Sequence, residues 1–234
     1  MLEIVKIESG YSSQSVIKGI SLEVPKSELV TIIGPNGHGK TTLLRSISGV
    51  LRLQSGEINF EGKRIDNLRV DEIVDKGIVH IPQGDMLFPE MNVKDNLLMG
   101  AYLVRNQPEL KKRITQVLEL FPQLGERENQ IASTLSGGER RMLAIGRGLM
   151  TGAKILLIDE PSLGLAPVVI DDIFKILKEL NNQGQTILLV EENVSRVINV
   201  SDHIYLIDDG LIAWQGTGEE LSSESNIMEV YLGV

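Results

Sequence analysis

The sequence predicts an α/β fold: a mainly parallel sheet, a small antiparallel sheet ahead of it, and a helical insertion. Short, nearly continuous apolar runs alternate with helical patterns over much of the chain. Residues 2–8, 16–24 and 56–65 instead alternate apolar and polar positions, and residues 89–152 contain helical patterns with no convincing strand.

Each element follows from its local pattern. Residues 2–8 read as a strand with one wet face, since a period of two places alternate side chains on opposite faces. "VIKGISLEV" and "GEINFEGKRI" behave alike, and Glu61-Gly62 supplies a tight turn in the second. "LVTII" (29–33) is different, because a strand covered on both faces needs no polar side. "GIVHI" (77–81), "KILLI" (154–158), "TILLV" (186–190) and "HIYLI" (203–207) repeat it. Residues 167–180 form a helix that opens on Pro167, with "NNQG" closing the segment. Buried strands alternating with helices give a parallel sheet with right-handed crossovers. The insertion holds "NVKDNLLMGAYLV", "PELKKRITQVLELF" and "ERRMLAIGRGLM", all helix-like. "DDG" turns the chain into "LIAWQ" as a final hairpin. The expected division is therefore 1–88 with 153–234 as a core, and 89–152 as a helical subdomain.

Composition excludes several function classes. The 234 residues carry a net charge of −9 and no basic stretch, which argues against a nucleic-acid partner. Without cysteine there is no disulfide framework and no thiolate metal site. "MLEIVKIES" has charges at Glu3 and Lys6 and lacks the apolar core of a signal peptide. No apolar run reaches the roughly 18–20 residues that span a bilayer. A membrane role would have to come through a partner.

"GPNGHGKTT" (34–42) follows directly on "LVTII". It matches G-x-x-x-x-G-K-[ST] through Gly34, Gly39, Lys40 and Thr41, between a strand and a helix. Backbone N–H groups can surround a phosphate chain only where no Cβ blocks them, hence the glycines. The following helix contributes its positive end. Lys40 reaches the terminal phosphates and Thr41 can ligate magnesium, so the expected ligand is ATP with Mg2+. Asn36, Gly37 and Thr42 belong to the same loop. His38 takes no part in the chemistry.

"KILLIDEPS" ends a buried strand in Asp159 and Glu160. Paired acids there need cations or water, and in open α/β sheets ligands bind beyond the carboxyl ends of strands. Asp159 is the expected magnesium holder, directly or through water. Glu160 is the group to orient or deprotonate an attacking water. Gln83, at the end of "GIVHIPQ", could reach the same metal or water. "LSGGE" opens another helix, with Ser136 and Glu139 at capping-box spacing. Ser136, Gly137 and Gly138 there could instead form a second anion site, presented by another copy to the nucleotide on the first.

Taken in order, the phosphate loop, Gln83, "LSGGE", "ILLIDEP" and "LLVEEN" resemble ATP-binding-cassette ATPases along the whole chain. The resemblance implies a phosphate-loop NTPase (RecA-like) core. It also implies a head-to-tail dimer, homo- or heteromeric, with ATP sandwiched between phosphate loops and opposing "LSGGE" motifs. Tyr11 would stack on adenine, and residues 84–105 would meet membrane permease subunits. "FPEMNVKDNLLMGAY", "RRMLAIGRGLM", "EPSLGLAP" and "VYLGV" are similar to the ATPase subunit of branched-chain amino acid importers, with urea and short-amide importers close by. Such a subunit sits at the cytoplasmic face of the membrane and serves a solute-binding protein indirectly. Three positions depart from the broad family: Glu139 replaces Gln, Ala166 replaces an aspartate that acts across the dimer, and Glu192 replaces the switch histidine. The second leaves Ser162 or backbone groups for cross-site contact. A carboxylate at 192 conflicts with a γ-phosphate unless it is turned away, protonated or balanced, so Glu192 is not expected to position the water. The departures at 166 and 192 leave room for a nucleotide-dependent interaction switch with little turnover.

Overall fold

The computed structural model describes residues 1–12, 14–224 and 227. A four-stranded antiparallel sheet is built from β1 (Leu2–Tyr11), β2 (Gln14–Val24), β4 (Leu53–Phe60) and β5 (Lys63–Arg64), in the order β2-β1-β4-β5. A six-stranded sheet contains β3 (Leu29–Ile33), β6 (Ile78–Ile81), β7 (Ile155–Asp159), β8 (Thr186–Val190), β9 (His203–Asp208) and β10 (Leu211–Gly216). Its order is β10-β9-β3-β8-β7-β6, all parallel except the β9–β10 hairpin.

The apolar runs have a simple cause. Every residue of β3, β7 and β8 is buried, because the sheet separates two cores. Leu156, Ile158, Ile187 and Leu189 face the side covered by α6 (Gly137–Met150) and α7 (Pro167–Asn182). Leu157, Leu188 and Val190 face α1 (Lys40–Ile47) and the antiparallel sheet. Strand β1 keeps its alternation, with a register shift between Ile4 and Ile7 where Lys6 adopts a positive φ. Both hairpin turns fall where the sequence puts them, on Glu61-Gly62 and Asp209-Gly210, all four at positive φ.

Between β6 and β7 the described residues hold α3 (Val93–Gly100), α4 (Gln107–Leu120), α5 (Pro122–Gly125) and α6, and no named strand. Helix α3 lies against α6 so closely that a Cβ on Gly100 would come 2.0 Å from the carbonyl oxygen of Arg147. A short helix, α2 (Val70–Asp75), precedes β6 and was not legible, having one buried side chain, Ile73. After β8 come α8 (Val194–Val197) and, past the last hairpin, α9 (Gly218–Ser223). "VYLGV" lies outside the described residues. Among the described residues, no helix is long and apolar enough to cross a membrane.

Candidate functional site

The parallel strands β3, β7 and β8 end side by side, and the loops that follow them converge. Gly34, Gly37 and Gly39 have φ of 145°, 84° and 108°, a region that side chains with a Cβ rarely adopt. At Gly34 the need is also spatial, because a Cβ would sit 2.1 Å from the carbonyl oxygen of Ile207 on β9. Gly34→Ala should therefore cost at least about 2 kcal/mol. For a chain of this size that is a fall in Tm of roughly 4–8 °C, read from a thermal melt.

Lys40 opens α1 and is buried, with Nζ donating to the carbonyl oxygens of Gly34 (2.8 Å) and Pro35 (3.2 Å) and lying 3.6 Å from Glu160 Oε1. The other oxygen of Glu160 accepts from Gln83 Nε2 at 2.9 Å. The acid is thus held between a cation at the start of α1 and an amide from the loop after β6. Asn36, Gly37, Gly39, Lys40, Thr41, Thr42, Gln83 and Glu160 line one cleft of about 280 Å³. Residues more than 100 positions apart meet there.

Thr41 Oγ1 donates to Asp159 Oδ1 at 3.1 Å, while Asp159 Oδ2 is buried with no hydrogen-bond partner. Burial pushes the Asp159 carboxyl up to about 6; the Thr41 hydroxyl opposes this and the Glu160 charge adds to it. An unsatisfied buried carboxylate oxygen beside a hydroxyl suits a divalent cation, which would restore the charge that burial disfavours. Thr41 and Asp159 offer hard oxygen donors of the kind magnesium takes, and Gln83 shares the cleft with Thr41 while its Nε2 faces Glu160.

Four expected residues, Tyr11 and Ser136–Gly138, lie elsewhere. Tyr11 ends β1 with its ring exposed and its hydroxyl accepting from Arg45 Nη1 of α1 at 2.9 Å. Ser136, Gly137 and Gly138 do not line the cleft. Ser136 caps α6 in a reciprocal pair with Glu139, whose carboxylate also meets Arg127 at 2.8 Å. Gly138 has a packing reason as well: a Cβ would come 2.5 Å from Val169 of α7.

Sequence reasoning missed several partners. Asn36 Nδ2 donates to Glu192 Oε1 at 3.0 Å, so the carboxylate at the switch position holds the phosphate loop's own side chain. His38 Nδ1 sits 2.7 Å from Asp208 Oδ1, tying the loop to the β9–β10 turn. Asn96 of α3 is fully buried and bonds the backbone of Phe88, Met91 and Asn92, shaping the segment after Gln83. Arg141 of α6 reaches the same segment, through Asp85 at 3.2 Å and the Pro82 carbonyl at 3.4 Å. Spacing gave no signal for these contacts: those of Asn36, His38 and Arg141 join separate elements, and those of Asn96 bind an irregular segment just ahead of its own helix.

The chain is similar to known proteins along its length. Residues 17–163 match the ABC transporter family. The high-affinity branched-chain amino acid transport ATP-binding protein BraG of Pseudomonas aeruginosa is 41% identical over 100% of both chains. The lipopolysaccharide export system ATP-binding protein LptB of Haemophilus influenzae is 33% identical, over 97% of this chain and 95% of its own. A crystal structure of an ABC transporter's ATP-binding cassette in its ADP conformation superposes with a TM-score of 0.88 at 33% identity, covering 100% and 99% of the two chains.

Proposed function

The chain belongs to the ABC transporter family as an ATP-hydrolysing subunit, and from that premise we propose that it powers uptake of branched-chain amino acids. The observation behind the solute is the 41% identity, end to end, with a subunit named for that transport. In this reading ATP and Mg2+ bind the 34–42 loop, Thr41, Asp159 and Gln83 hold the metal, and Tyr11 stacks on adenine. Magnesium supplies charge neutralisation on the phosphates; Lys40 adds to it from the protein side. Glu160 takes the proton of the attacking water, and Gln83 orients that carboxylate.

A second ATPase subunit, identical or related, presents Ser136–Gly138 to the nucleotide. The positive end of α6 then faces the γ-phosphate, and ATP favours the closed dimer because it touches both halves only there. We read 89–152 as the helical subdomain that transmits this closure. Exposed side chains of the 84–105 segment support a permease contact: Tyr102 is 81% exposed, and Met86, Phe88 and Leu103 lie with it around a groove of about 970 Å³. Apolar side chains clustered on a groove need a partner to leave water. The subunit would then lie at the cytoplasmic face of a membrane, with a solute-binding protein engaged only through the permease.

Co-purification with the permeases, followed by reconstitution in lipid vesicles, tests this. ATP-dependent uptake of leucine, isoleucine or valine is the expected result. Uptake of urea or a short amide instead, or outward movement of lipopolysaccharide, would replace the solute assignment. A complex that binds ATP and changes partners without releasing phosphate would favour the switch, the reading to which Glu192 and Ala166 lend support.

A further inference from the structure

Glu160 has a φ of 44°, in the left-handed region that costs a non-glycine residue roughly 1–2 kcal/mol. A strained residue at a reacting position persists only where its neighbours over-determine it. Here the restraint comes from the end of β8 on both sides. Ahead of the loop, the Glu160 N–H donates to the Val190 carbonyl at 2.9 Å. Beyond it, the Ser162 hydroxyl donates to Glu191 Oε1 at 2.7 Å. That oxygen also accepts from the N–H groups of Glu192 (3.0 Å) and Asn193 (3.3 Å). Glu191 is 1% exposed, and its own N–H is anchored to the Ile32 carbonyl of the central strand β3.

We propose that Glu191 is a positioning residue for hydrolysis: its carboxylate ties the loop after β7 to the end of β8 and so fixes the backbone that aims Glu160. The same oxygen orders Glu192, whose carboxylate holds Asn36, so one buried acid joins the catalytic loop to the phosphate loop. Ser162, free in sequence terms for contact across a dimer, is engaged within its own chain. The inference rests on Glu160 acting as proposed above. Displacing a reacting group by about 1 Å can lower a rate about 100-fold, so loosening this tie should be visible in turnover.

The test compares Ser162→Ala, Glu191→Ala, Glu191→Gln and the double alanine variant in the full-length chain, with Glu160→Gln alongside. Readouts are kcat and KM for ATP, ATP affinity without magnesium, and a thermal melt. Ser162→Ala and Glu191→Ala should lower kcat about 10- to 100-fold at near-constant ATP affinity. Glu191→Gln keeps the shape and an acceptor for Ser162, and should recover most of that loss. The double variant should be no worse than Glu191→Ala, as expected of two groups acting as one unit. Unchanged kcat in folded Ser162→Ala and Glu191→Ala would overturn the proposal, as would a fall in ATP affinity that matches the fall in kcat. Should Glu191→Ala not fold, Ser162→Ala and Glu191→Gln decide alone. Turnover retained by Glu160→Gln would instead sink the assignment of the base, a separate failure.

Discussion

Glu160→Gln should slow ATP hydrolysis by about 10²–10⁴-fold, the usual contribution of a general base, with nucleotide affinity little changed. The reason is the bracket around the acid. Its two oxygens face Lys40 and Gln83, so the side chain is already ordered without substrate. Glutamine keeps that size and can still pair with either neighbour, but it cannot accept a proton from water. Glu192 offers the contrast. Its carboxylate is exposed and engaged with Asn36, and Glu192→Gln preserves an acceptor for that amide. It should keep turnover within about tenfold of the parent, a small fraction of a general base's effect. Phosphate release from both variants, side by side, checks the assignment. Loss of turnover in Glu192→Gln together with normal turnover in Glu160→Gln would reverse the two roles.

Ser136→Arg should abolish ATP-induced dimerisation. Within one copy, residues 136–138 are absent from the cleft that holds Lys40 and Glu160. Their glycines can meet a γ-phosphate only if another subunit brings them there, and an arginine side chain would fill the space needed. The substitution also removes the helix cap that Ser136 provides, worth about 1 kcal/mol. That corresponds to a drop in Tm of only about 2–4 °C, so the protein should remain folded. Light scattering with ATP in a Glu160→Gln background reads the outcome, since trapped nucleotide prolongs the closed state. Ser136→Asn, which retains a capping oxygen, separates the cap from the bulk. A normal dimer with Ser136→Arg would refute the sandwich arrangement.

Much of this was visible in the chain itself. The buried strands announce themselves as unbroken apolar runs because both faces of the sheet are covered. The phosphate loop is legible because the backbone angles at 34, 37 and 39 favour glycine. Asp159 and Glu160 are legible as a pair at the end of a buried strand, although Glu191-Glu192 and Asp208-Asp209 stand at the ends of two others. What stayed hidden depends on contacts between distant elements. Neither His38 with Asp208, nor Asn36 with Glu192, nor Ser162 with Glu191 leaves a periodic trace. Gly138 shows a different limit: its type suggests an anion site, and its fit against Val169 gives it a second reason that spacing could not display. Asn96 reads as an ordinary helical polar residue, yet it is fully buried and organises the backbone beyond Gln83.

The central claim is that the 34–42 loop, with Lys40 at its end, binds the triphosphate of ATP. Isothermal calorimetry with Mg-ATP tests it most directly, on the parent chain and on Lys40→Ala, each shown to be folded by its melting curve. Saturable heat at about one nucleotide per chain, lost or strongly weakened in Lys40→Ala, is the expected result. No heat from folded parent protein, or equal affinity in both, would contradict the account.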